Sequence, residues 1–146
     1  MNNGVILLIE DNPDDVALTV RALQRNNIHN QIVVATDGQE ALDVLLPPDG
    51  SEGLRPQLTL LDINLPKVSG LEVLRTMRDD PHTASIPVVV LTTSDEERDI
   101  VDSYRFGANS FVRKPVVFGE FLEAARVLGL YWLLVNRAPP NGGERE

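Results

Sequence analysis

Five short apolar runs, each followed by a segment with helix-start chemistry, constrain this chain more than any other feature of it. "VILLI" (5–9), "QIVVA" (31–35), "LTLL" (58–61), "PVVVL" (87–91) and "SFVR" (110–113) read as strands. Three of them are continuous Val/Ile/Leu runs, the pattern of parallel strands covered on both faces rather than strands with one face in water. Between the runs, Asn12 and Pro13 supply an N-cap and a proline at the first helical position. Asp37 with Glu40, Ser69 with Glu72 and Ser94 with Glu97 each fit a capping box. The order is therefore β-α repeated five times. That predicts an α/β fold: a doubly wound, five-stranded parallel sheet with helices on both faces, in the flavodoxin-like order 2-1-3-4-5.

A chain of 146 residues suits one domain with one real core. We place that domain at 1–137, including an extended C-terminal helix, and read "APPNGGERE" (138–146) as a flexible tail and "PPDGSEGLRP" (47–56) as a loop before the third strand. The absence of cysteine excludes disulfides, thiolate metal sites and thiol redox chemistry. The amino terminus has no basic region and only five consecutive apolar residues, which fits neither a signal peptide nor a membrane span, so a cytoplasmic protein is expected. A net charge of −9 with no basic cluster offers no surface for neutralising nucleic-acid phosphates, so no nucleic-acid partner is expected.

In an open parallel sheet, sites form beyond the carboxyl ends of the strands where the strand order reverses. The first and third strands flank that point. Glu10 and Asp11 follow the first, and Asp62 ends the third. Two unit charges ~4 Å apart repel by about 4 kcal/mol at an effective dielectric near 20, so three converging carboxylates call for positive charge among them. An all-oxygen site with few protein ligands suits Mg²⁺. Lys114, just past the fifth strand in "FVRKP", brings a second cation, with Pro115 restricting the turn. Thr92, at the end of "PVVVLT", adds a hydroxyl at the same edge. A lone Asp after a strand is ordinarily a helix N-cap. Five polar groups on four strand ends are not ordinarily that.

The motifs "LLIEDNPDD", "LLDINLPKVSG", "VVVLTTS" and "SFVRKP" resemble the receiver domain of bacterial two-component response regulators, over about residues 4 to 128. The resemblance implies that Asp62 is the phosphoacceptor, served by a histidine kinase. It implies that Glu10, Asp11, Asp62 and the backbone carbonyl of Asn64 hold Mg²⁺, and that Lys114 pairs with the phosphoryl group. Thr92 would sense phosphorylation and Phe111 would be the aromatic switch, unable as Phe to make a hydroxyl bond. Asn64 and Ser94, two residues beyond Asp62 and Thr92, occupy positions where the family tunes water access. The "IEDNPDD" start, the 47–56 insertion, "PVVVLTTS" and "LGLYWLLVNRAPP" are similar to small regulators paired with phytochrome-type histidine kinases. No output domain follows, which implies action by protein contact or phosphorelay rather than direct transcription control.

Two other classes stay open at this stage. A phosphatase of the haloacid-dehalogenase type also uses an Asp nucleophile with Mg²⁺, although its Asp-x-Asp follows the first strand, whereas Asp62-x-Asn64 follows the third. A degenerate receiver would serve only as a scaffold. Among other residues, Phe111 has the bland reading of a core aromatic, and His29 and His82 are expected as solvated loop residues. Met77 is expected in the core, and "RDD" (78–80) as solvated charge at a helix end. In the last helix, Phe118, Phe121, Leu122, Ala125, Leu128 and Trp132 share one stripe. Beyond Arg126, apolar residues wrap the helix on every side. This predicts a homodimer through Leu130, Tyr131, Trp132 and Leu134, the alternative being a helix end folded back on its own domain.

Overall fold

The structure, a computed structural model, describes residues 4–92, 97–114, 118–127, 130 and 134. Five strands, β1 (Ile6–Ile9), β2 (Ile32–Ala35), β3 (Leu58–Asp62), β4 (Val88–Thr92) and β5 (Ser110–Arg113), alternate with α1 (Pro13–Arg25), α2 (Gly38–Leu45), α3 (Gly70–Asp79), α4 (Glu97–Arg105) and α5 (Phe118–Val127). All strand pairs are parallel and the order is β2-β1-β3-β4-β5, as the alternation of buried runs and capped helices predicts. The register sets Ile9 beside Leu61, Asp62 beside Leu91, and Thr92 beside Arg113. The carboxyl ends of β1, β3, β4 and β5 thus share one edge.

The helix starts follow side-chain chemistry. Asn12 Oδ1 accepts from the amides of Asp14 and Asp15, ahead of Pro13 in the first turn of α1. Asp37 Oδ1 accepts from Glu40 N at 2.7 Å, and Ser69 Oγ accepts from Glu72 N. The return half of the Asp37 box is displaced by one residue. Glu40 Oε1 accepts from the amide and hydroxyl of Thr36. The carboxylate thus fastens the end of β2 to α2. The Ser94–Glu97 start and the Pro115 turn lie outside the described residues.

Alternation along the strands divides the core in two. Ile6, Leu8, Leu58, Leu60, Val89, Leu91 and Val112 pack with Leu23 of α1 and with Phe121 and Ala124 of α5. On the other face, Leu7, Ile9, Leu61, Val88 and Val90 pack with Ala41 and Leu45 of α2 and with Val73, Leu74 and Met77 of α3. Met77 is core, as expected.

Two expectations need correction. Arg78 is not a solvated charge. Its guanidinium donates to the carbonyls of Gly107, Ala84 and Ile86 and to Asn109 Oδ1, and burial lowers its pKa. It ties the end of α3 to the segments entering β4 and β5. Second, the C-terminal segment folds back on its own domain at the positions described. Leu134 has 0% exposure inside the α1/α5 core, and Leu130 packs against the same cluster. Both leucines join the apolar face that α1 and α5 also cover. These two leucines are therefore not free dimer contacts. Tyr131 and Trp132 lie outside the described residues.

Candidate functional site

β1 leads straight into Glu10, whose amide donates to Ala35 O at the end of β2. This pairing holds the residue in the sheet layer, and Glu10 is only 1% exposed. The N-capped start of α1 then carries the chain outward, so neighbouring Asp11 is exposed. Asp62 is the last residue of β3 and is itself buried. One oxygen, Oδ1, accepts from Asn64 N at 3.2 Å, which orients the carboxylate. Gly70 secures the loop that follows. Its amide donates to Ile63 O, and a Cβ there would lie 2.2 Å from the carbonyl oxygen of Asp62. Any side chain at position 70 would displace the strand end that carries the carboxylate.

Carboxylate oxygens of Glu10, Asp11 and Asp62 lie within 4.8 Å of one another. The convergence expected from topology is present. Lys114 reaches into the same cluster, its Nζ 2.5 Å from Glu10 Oε1, 3.1 Å from Asp15 Oδ2 and 3.3 Å from Asp62 Oδ2. Asp15 was not among the residues singled out from the sequence. An acid in the first turn of a helix has a sufficient local explanation in the helix dipole, and only the fold shows that it faces a lysine 99 positions away.

The electrostatics follow from burial. Removal from water pushes the Glu10 carboxyl from its ordinary 4.5 up to about 7; the Asp62 charge adds to this, while Lys114 and the Asn12 amide oppose it. For Lys114 burial works against the charge, but Glu10, Asp62 and Asp15 outweigh it and hold the ammonium above the ordinary lysine range. Four carboxylates facing one ammonium carry an excess of negative charge. The donor set fits a hard dication: the ligands are all oxygen, and one face is open at Asp11.

The remaining expected site residues divide by what is described. Asn64 is exposed, directly after the buried end of β3. Thr92 closes β4 at this edge, with its side chain outside the description. Phe111 is partly buried against the α2/α3 core. His29 and His82 are exposed, and His82 pairs with Asp80.

A parallel sheet in this order, with acids on β1 and β3 and a lysine after β5 at one edge, defines the class. Residues 6–126 match the model of the response regulator receiver domain, and the chain belongs to that family. Among solved structures, it is similar to the bacteriophytochrome response regulator AtBRR: 47% identity, 94% of this chain and 100% of that one covered, TM-score 0.81. Among curated proteins, the probable methanogenesis regulatory protein FilR2 of Methanothrix harundinacea is 38% identical over 92% of this chain and 87% of its own. Response regulator Rcp1 of Synechocystis sp. is 36% identical over 88% of each chain. Among the described residues, no helix is long and apolar enough to cross a membrane.

Proposed function

We propose that this response regulator accepts a phosphoryl group on Asp62 from a histidine kinase, downstream of a bacteriophytochrome-type receptor, and acts in the cytoplasm by protein contact or phosphorelay. One observation carries the reading: the buried Asp62 carboxylate has one oxygen held by the Asn64 amide and the other 3.3 Å from the Lys114 ammonium, beside Glu10 and Asp11. A carboxylate oxygen of Asp62 attacks phosphorus, the bond from phosphorus to the kinase imidazole breaks, and the imidazole keeps that electron pair. Lys114 is placed to clamp a phosphoryl oxygen. Glu10, Asp11, Asp62 and the Asn64 carbonyl would hold Mg²⁺, which when bound neutralises the carboxylates and the incoming phosphoryl oxygens. Thr92 and Phe111 would relay the change to the α4–β5 side. The chain turns over no external substrate beyond its own phosphorylation and dephosphorylation.

The similarity to AtBRR supports the pairing with a phytochrome kinase. Homodimerisation belongs to the same proposal, through the end of α5, where Val127 is 66% exposed, and onward through Tyr131 and Trp132. The direct test is intact mass after exposure to acetyl phosphate and Mg²⁺. Wild type gains a single labile phosphoryl group and Asp62→Asn gains none; equal labelling of the variant overturns the assignment.

A further inference from the structure

The four acids around Lys114 are not equivalent. Glu10 and Asp62 contact the ammonium and also belong to the carboxylate cluster, whereas Asp11 belongs to the cluster and has no contact with the ammonium. Asp15 is the reverse case. Its Oδ2 lies 3.1 Å from Lys114 Nζ, but it stands outside the group of oxygens close enough to share one ion. Its backbone is fixed by the Asn12 cap at the start of α1, and its side chain is two-thirds covered while that of Lys114 is nine-tenths covered. The pair is thus preformed and sheltered.

We propose that Asp15 is a positioning residue for Lys114: it keeps the ammonium at the mouth of the site when Glu10 and Asp62 are drawn to a dication. This rests on the phosphoacceptor reading above. A dication on Glu10, Asp11 and Asp62 competes directly with the ammonium for two of its three carboxylate partners. With no third partner, Lys114 either blocks the cation by holding Glu10 and Asp62, or is released from the cluster into water. Either outcome slows capture of a phosphoryl group. Asp15 resolves the conflict by offering a carboxylate that the cation does not use. The ammonium then moves toward α1 by a short distance and stays within reach of an oxygen on phosphorylated Asp62. A negative charge in the first helical turn is independently favoured by the helix dipole.

The test is a double-mutant cycle on the full chain with Asp15→Asn, Lys114→Ala and their combination, plus Asp15→Glu as the conservative variant. Two quantities are read: the rate of labelling by acetyl phosphate at saturating Mg²⁺, and the Mg²⁺ dissociation constant by calorimetry. Contacting residues couple strongly, so Asp15→Asn is expected to slow labelling by about five- to tenfold and to weaken Mg²⁺ binding several-fold when Lys114 is present, with less than about twofold effect on either in the Lys114→Ala background. Asp15→Glu restores at least part of the rate. Equal losses in both backgrounds mean that Asp15 acts on the metal or the fold directly, and overturn the proposal, as does an unchanged rate in Asp15→Asn. A wild type that takes no label overturns the phosphoacceptor reading itself. The Mg²⁺ cycle still decides the Asp15–Lys114 coupling in that event.

Discussion

The Nζ of Lys114 lies 2.5 Å from Oε1 of Glu10, so the cation expected to clamp a phosphoryl oxygen instead neutralises a buried metal-ligand candidate in this state. A metal and Lys114 then compete for the same carboxylates. Lys114→Ala is expected to bind Mg²⁺ at least as tightly as wild type while being labelled by acetyl phosphate at least about tenfold more slowly, a loss of ~1.4 kcal/mol in transition-state stabilisation. Thermal melts check the first half by linkage. At a hundredfold excess over Kd, Mg²⁺ raises stability by about 2.7 kcal/mol, and Asp11→Ala removes that shift.

Glu10 also makes the site pH-dependent. Its folded-state pKa, about 7, exceeds the ordinary 4.5. The proton is bound more tightly in the folded chain, so this contribution to stability is fully present below the ordinary value and is lost as pH rises through about 7. The metal-free protein is therefore expected to lose up to ~3 kcal/mol across that window, measured by urea unfolding, with Glu10→Gln flattening the profile. Metal binding shows the opposite sign. Because it requires the ionised carboxylate, Mg²⁺ affinity is expected to rise about tenfold per pH unit below 7 and to level off above it, with proton release visible by calorimetry in buffers of different ionisation enthalpy.

The sheet order, the acids at the strand ends and most caps were legible because each depends on residues close in sequence: an apolar run, the acid that ends it, the cap that follows. The two polar partners that were missed depend on distance. Asp15 has a local explanation at a helix start, and its contact with Lys114 exists only after β5 docks beside the rest of the sheet. Arg78 sits in a charged triplet at a helix end, and its acceptors are mostly backbone carbonyls, which carry no sequence signature. Of the C-terminal apolar residues, Leu130 and Leu134 were expected at a contact between copies and instead pack on the chain's own core. Whether such residues meet their own core or another copy depends on tertiary contacts, and hydrophobic periodicity does not encode those.

Arg78 supplies a stability prediction far from the chemistry. Arg78→Ala removes donors from three carbonyls and from Asn109 Oδ1, which also accepts from Val88 N at the start of β4. The expected cost is about 2–4 kcal/mol, in line with leaving partly buried acceptors unpaired. Arg78→Lys is expected to recover little, since one ammonium does not span acceptors arranged for a planar fork. Urea unfolding measures both. An Arg78→Ala midpoint equal to wild type would contradict the role.

Leu134 separates fold from assembly in the C-terminal segment. It is fully buried with Phe121, Ala124 and the β1, β3 and β4 leucines and valines, and Leu130 packs beside it. Truncating a buried leucine loses its transfer energy and leaves a cavity, together about 2–5 kcal/mol. Leu134→Ala is therefore expected to lower the unfolding midpoint by that amount at every protein concentration, and a chain ending at Arg126 to lose more. The homodimer proposal predicts a different pattern for Trp132→Glu. A charge placed in an apolar contact between copies opposes association, so sedimentation should show a monomer where wild type sediments as a dimer at micromolar concentration. Its unfolding midpoint should then approach that of wild type as wild type is diluted into its monomer. Wild type sedimenting as a monomer at micromolar concentration would overturn the dimer and leave the Leu134 prediction intact, because that residue is buried within a single chain.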